Sequence, residues 1–169
     1  MVVKTKDKLE VYAQAVDSAH MRNIRLLKSD FLIEPESISG DRKAWKNGVG
    51  CRMSSSSYNQ ERKVLTALIT ANAYSKVGRK KIVSLKCEYA VAYDIQGAPD
   101  EAAVHRFAER VGTFAAYPYF RAHFATITAQ AGISMPPLPV LKEGPRVIPR
   151  ASVREAAKPR AQHRIRGNS

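Results

Sequence analysis

The chain has 169 residues, 44% of them apolar, with 28 lysines and arginines against 15 acidic residues and a net charge of +13. That length fits one domain with a single core. No apolar run approaches the roughly 20 residues of a membrane helix, and Met1-Val2-Val3-Lys4 lacks the apolar stretch of a secretory leader, so a cytoplasmic protein off the membrane is expected.

Residues 6–19 read as a short amphipathic helix with Leu9, Tyr12, Ala13, Val16 and Ala19 on one face, or else as a mobile basic arm. Met21 to Ile33 reads as a strand, with Lys28-Ser29-Asp30 marking a bulge or break. Glu34-Pro35-Glu36 ends it, because proline cannot donate to a ladder. Ser39-Gly40-Asp41 is turn chemistry. Trp45, the sole tryptophan, falls in an irregular stretch, as a core anchor or an exposed contact residue.

Asn47-Gly48-Val49-Gly50 looks turn-like or bulged, and a weak strand follows through Cys51 and Met53. Ser54 to Ser57 reads as a flexible connection. Arg62 to Ser75 is a nearly continuous apolar strand, which suggests cover on both faces. Lys76 to Lys80 is a short hairpin connection. From Val83 to Ile95 apolar and polar residues alternate strictly, the period of a half-buried strand. Cys51 and Cys87 form no Cys-x-x-Cys pair and are expected to be reduced, buried thiols.

Asp100 and Glu101 suit the start of a short helix whose stripe is Val104, Phe107, Ala108 and Val111. Gly112 is expected to end it and Thr113 to cap a second, longer helix. Phe114, Tyr117, Phe120, Phe124, Ile127 and Ala131 recur as one face of that helix. Pro118 sits in an early turn with a kink expected, Gly132 stops the helix, and Pro136-Pro137 enforces an extended exit. The sum is α+β: four antiparallel strands with helices after them.

From Glu143 to Ser169 the chain holds seven basic and two acidic residues, scattered prolines and little apolar surface. Such a segment cannot offset its own chain entropy, so a basic disordered tail is expected over 142–169. The tail carries +5 and leaves +8 on the body. A surface of that sign attracts acidic partners, including nucleic acid, through a salt-sensitive field.

No motif for bond-breaking chemistry is present. The four histidines lack metal-ligand spacing, and there is no nucleophile elbow, phosphate loop or dinucleotide fingerprint. His105, Glu109 and Glu101 lie one turn apart, where an ion pair on a solvated face is expected. Catalytic residues, metal and cofactor are all expected to be absent.

Two pieces of the chain resemble the SecB export chaperones. Phe114-Ala115-Ala116-Tyr117-Pro118-Tyr119-Phe120-Arg121 is similar to the start of that family's long helix, and Met135-Pro136-Pro137-Leu138-Pro139-Val140 to the segment after it. The likeness points to the SecB-like chaperones of toxin–antitoxin–chaperone systems and places a chaperone domain on residues 21–141. It implies a four-stranded antiparallel sheet packed against a long C-terminal helix preceded by a short one. It also implies an ATP-independent chaperone (a holdase) that binds unfolded polypeptides, such as an antitoxin or a preprotein, to prevent aggregation or aid export. Relatives assemble as homotetramers, dimers of dimers.

Client contacts are expected among apolar residues near turns: Trp45, Val49, Met53, Ile133, Met135, Leu138, Val140 and Leu141. The strands carry Arg22, Arg25, Lys28, Lys80, Lys81 and Lys86 where the familiar proteins use carboxylates to dock the secretion motor SecA. Like charge opposes that docking, so a dedicated client is expected rather than general export. The alternative reading is a basic nucleic-acid-binding protein, with non-specific contact through the tail.

Overall fold

A computed structural model of the chain describes residues 12–35, 37, 44–96 and 100–141. The start of the expected first helix, the Ser39-Gly40-Asp41 turn, Gly97 to Pro99 and the basic tail lie outside the described residues. Four strands, β1 (Ala19–Ile33), β2 (Lys46–Asn59), β3 (Val64–Val77) and β4 (Lys80–Ile95), form one antiparallel sheet in the order β1-β4-β3-β2. The helical part runs through α1 (Glu101–Phe107), a π-helical turn (Ala108–Gly112) and α2 (Thr113–Gln130).

The alternation in β4 does what its period predicts. Val83, Leu85, Cys87, Tyr89, Val91, Tyr93 and Ile95 are all buried toward the helices, while Lys86 on the opposite face is exposed. In β3, Leu65, Ala67, Ile69, Ala71, Ala73 and Ser75 are buried on that same side. The other face of β3 is not covered as expected: Leu68 is 37% exposed and Asn72 is open. That open face carries Val64, Thr66, Leu68, Thr70, Asn72 and Tyr74, while the alanines that make the run look continuous lie on the buried side. Gly78, at φ +58°, makes the tight link between β3 and β4.

β2 overturns the reading of its sequence as a turn, a weak strand and a flexible serine run. It is one strand of 14 residues paired with β3 throughout, broken by a bulge between Met53 and Ser55. Gly48 and Gly50 are strand residues covered from across the ladder. A Cβ on Gly48 would collide with the Tyr74 ring, and one on Gly50 would press on the Asn72 amide at 3.1 Å. A glycine under a neighbour's side chain is a known use of glycine in strands. At the bulge the Ser54 hydroxyl donates to the Leu68 carbonyl of the paired strand β3 at 3.0 Å.

In β1 the irregularities fall between Met21 and Asn23 and between Leu26 and Lys28, while Lys28, Ser29 and Asp30 are in regular register. Residues 12–17 are helical. Ala15 is the buried residue there, with Tyr12 and Ala19 against the core, whereas Ala13 is exposed and Val16 is 38% exposed. The buried helical face is therefore 12 and 15, the i, i+3 pair, and Ala19 already belongs to β1.

Gly112 does not end a helix. Its φ of −59° and that of Thr113, −63°, are helical, and α1 and α2 run on through the π turn. The Thr113 hydroxyl donates back to the Glu109 carbonyl at 2.8 Å instead of capping. The buried positions explain the turn. Val104, Ala108, Gly112, Ala116, Phe120, Phe124 and Thr128 recur every fourth residue. At about 100° per residue, such a row drifts about 40° per step around an ideal helix. The wider π turn absorbs part of that drift and keeps the row on the sheet. The same phase shift leaves Phe114 36% exposed, although its spacing placed it on the buried face. Pro118 lies inside α2, where the Phe114 carbonyl loses its usual helical donor.

Gly132 stops α2 as expected. At φ +70° it lets its own N–H reach the Ala129 carbonyl (3.0 Å) and the Ile133 N–H reach that of Thr128 (2.9 Å). That pair of bonds is a Schellman motif, and Ile133 supplies its buried apolar contact.

Candidate functional site

The site is built from α2 and the segment that leaves it. After the Schellman turn the chain runs extended from Ile133 to Leu141, because each proline-preceding residue is pushed out of the helical region. This segment doubles back along α2. The Tyr117 hydroxyl, near the start of α2, donates to the Pro139 carbonyl at 2.6 Å. Farther along, the Ser75 hydroxyl on β3 lies 4.0 Å from the Met135 sulfur and 2.7 Å from Asn47 Oδ1. The segment is thus tied to α2 by Tyr117 and touches β3 at Ser75, and a groove of about 790 Å³ remains between helix and segment.

One wall of the groove is α2 through Pro118, Arg121, Ala122, Ala125 and Ala129. Phe124, Thr128 and Ile133 form its inner part, and Ser134 to Leu138 form the opposite wall. Arg121 is the single charged residue in this lining. A second cavity of about 230 Å³ shares Phe124 and Met135 to Leu138 and continues toward β2 and β3, reaching Val49, Gly48, Ala73 and Tyr74. Together they make a mainly apolar channel. It is shaped to take extended apolar chain and carries no reacting group.

Of the eight residues singled out from the sequence, Val49, Ile133, Met135 and Leu138 line these two cavities. Ile133 is 3% exposed, so it shapes the floor more than it meets solvent. Trp45 is half-buried just before β2, Met53 is half-buried on the core side of β2, and Leu141 packs on the core. Val140, at 66%, is the most exposed large apolar residue described. These four lie outside the linings. Sequence reasoning missed the wall supplied by α2. A signal existed: Ala122, Ala125 and Ala129 run at i, i+3, i+7 beside the aromatic stripe, where small side chains leave room.

Burial keeps one thiol and two phenols of the core protonated. Burial pushes the Cys51 thiol up to about 11 and the Tyr93 phenol up to about 12. Burial also raises Tyr117, partly opposed by the nearby Arg121. His105 is not on a solvated face with its glutamates: it is half-buried, and its Nδ1 shares a hydrogen bond with the Ser56 hydroxyl on β2. His123 on α2 pairs with Ser29 of β1 at 2.9 Å. The two histidines thereby pin the helical run to the two opposite edge strands. Among the described residues no group of three or more His, Cys, Asp or Glu could hold a metal ion, and no helix is long and apolar enough to cross a membrane.

Among solved structures the chain is similar to a SecB-like chaperone from Mycobacterium tuberculosis, in complex with a ChAD peptide from the HigA1 antitoxin. The match has a TM-score of 0.66 at 19% identity, over 80% of this chain and 99% of that one. The chain has a SecB-like fold. A protein of unknown function from Streptococcus agalactiae aligns over 73% of this chain and 96% of its own at 13% identity, with a TM-score of 0.30, too low to carry an argument. No family model matches the sequence, and no curated protein matches it. Within the SecB-like fold, the four-stranded antiparallel sheet and the C-terminal helical run are in the expected places, and the groove lies on the helix side of the sheet.

Proposed function

We propose that this protein is an ATP-independent chaperone, a holdase and not an enzyme, that binds unfolded polypeptide in the groove between α2 and residues 133–141. The observation that carries this reading is the apolar channel itself, walled by a helix and a tethered extended strap. A partner that binds only unfolded chain withdraws it from aggregation by mass action and needs no nucleotide. The solved neighbour of the same fold binds an antitoxin peptide, which favours an antitoxin over a preprotein as the client here.

In this reading Val49, Met135 and Leu138 contact the client within the channel. Val140, Trp45, Met53 and Leu141 extend the apolar surface beyond it. The protein acts in the cytoplasm as a dimer of dimers. Exposed Met21, Leu26, Leu27 and Leu32 along the edge strand β1 supply apolar surface for association.

The test is suppression of aggregation of an unfolded client without ATP, beside the solution mass. The expected result is a tetramer that suppresses aggregation, with Leu138→Asp and Met135→Asp each reducing the effect. A monomer without suppression, or suppression untouched by both substitutions, overturns the reading. The net charge of +13 supports a nucleic-acid-binding reading instead. Sequence-selective DNA binding that survives removal of residues 143–169 in a salt titration would favour it.

A further inference from the structure

The face of the sheet away from the helices is uncovered among the described residues, and its charges are arranged unevenly. Three acidic residues stand on it, and each is already paired with a base: Arg22 with Asp94 at 2.6 Å, Lys28 with Asp30 at 3.2 Å, and Lys86 with Glu88 at 4.0 Å. At the end of the sheet nearest the β3–β4 turn Glu34 pairs with Lys80 at 3.1 Å, but the neighbouring lysines form a row of their own. Lys46 of β2 is the register partner of Lys76 of β3, and Lys76 is the partner of Lys81 of β4. Lys81 lies over the Tyr74 ring, 5.4 Å from its centroid, and that ring lies against Gly48. Those contacts fix the row on the open face. Neither Lys46 nor Lys76 has an ion-pair partner among the described residues.

Three ammonium groups on adjacent strands, about 4.8 Å apart strand to strand, repel one another. Like charges directly opposite destabilise a sheet, and neutral residues there would fold better. The row therefore points to an anionic partner.

The chemistry of that partner is narrowed by the neighbours. Binding of single-stranded nucleic acid draws on free aromatic faces for base stacking. Tyr74, the aromatic residue beside the row, is already engaged by Lys81 and Gly48. The row is made of lysines, compact point charges, and not of the planar arginine forks that match phosphates in two places. We propose that Lys46, Lys76 and Lys81 form a docking site for a carboxylate-rich polypeptide segment, on the opposite side of the sheet from the groove. None of the three lysines lines the groove, although Gly48 and Tyr74 beside them edge its second cavity, and the site stands whether or not the groove binds clients.

The experiment measures binding of fluorescent deca-glutamate to the full chain by anisotropy, with decathymidylate as the nucleic-acid arm. The expected result is that Lys46→Glu with Lys76→Glu and Lys81→Glu weakens deca-glutamate binding by about tenfold or more. A charge-matched control, Arg160→Glu with Arg164→Glu and Arg166→Glu, lowers net charge equally in the tail and should weaken binding much less. The single Lys76→Glu variant guards against misfolding. It places a carboxylate between two lysines, so its melting temperature should not fall below that of the parent, while deca-glutamate binding still weakens. Equal losses in the sheet and tail triples would mean that net charge alone governs, and would overturn the proposal. So would unchanged binding in Lys76→Glu and the sheet triple, or decathymidylate binding more tightly than deca-glutamate through the same lysines.

Discussion

Replacing Tyr117 by Phe tests whether the extended strap is held in place by one hydrogen bond. The ring is 3% exposed and packs beside Phe120 with centroids 6.3 Å apart, and both features survive the substitution. What is lost is the bond from the hydroxyl to the Pro139 carbonyl, 22 residues along the chain. A typical intramolecular hydrogen bond contributes about 0.5–1.5 kcal/mol net. Pro139 is exposed, so its carbonyl can turn to water, and the cost should sit at the lower end. The loss should appear as local opening of residues 133–141 more than as global unfolding. Amide exchange in that segment should accelerate by about three- to tenfold, while β3 and β4 are unchanged. The melting temperature should fall by only about 1–3 °C. Affinity for an unfolded client should weaken modestly, because binding must then order a looser wall. Unchanged exchange in 133–141, or equal acceleration across the sheet, would refute the idea that Tyr117 tethers the strap.

Four further outcomes follow from the same geometry. Gly112→Ala should stabilise by about 0.5–1 kcal/mol in chemical denaturation, because its φ is helical and an added Cβ meets Ile69 and Ala67 only at 3.4 and 3.5 Å. Gly132→Ala should cost about 1–2 kcal/mol in the same assay although nothing crowds its Cβ, since φ +70° strains any L side chain. Phe120→Ala, at a site with no exposure, should cost about 3–5 kcal/mol. In alkali, Cys51 is raised from 9.0 to about 11 and Tyr93 from 10.0 to about 12 by burial. The unfolded chain loses those protons first, so stability should be full below about pH 9 and fall as pH rises toward 12. Thermal melts from pH 7 to 11 check the sign; a rise in stability above pH 9 would contradict it.

Short-range pattern determined much of this protein. The alternation from Val83 to Ile95 set β4 and its buried face, because a strand's side chains alternate whatever surrounds it. Gly132 and the Pro136-Pro137 pair set the end of α2 and the extended strap, because their backbone preferences are intrinsic. The Phe114–Arg121 and Met135–Val140 pieces carry the resemblance to the SecB-like fold within the sequence itself. Tertiary structure decided the rest. Gly48 and Gly50 look like a turn until Tyr74 and Asn72 from the next strand lie over them, and Gly112 looks like a stop until a sheet lies flat beneath it. Whether the strap folds back onto α2 depends on a bond spanning 22 residues. The lysine row exists only once three separated positions are brought side by side. Local preference acts over a few residues, whereas grooves and charge rows arise from neighbours distant along the chain, which only packing brings together.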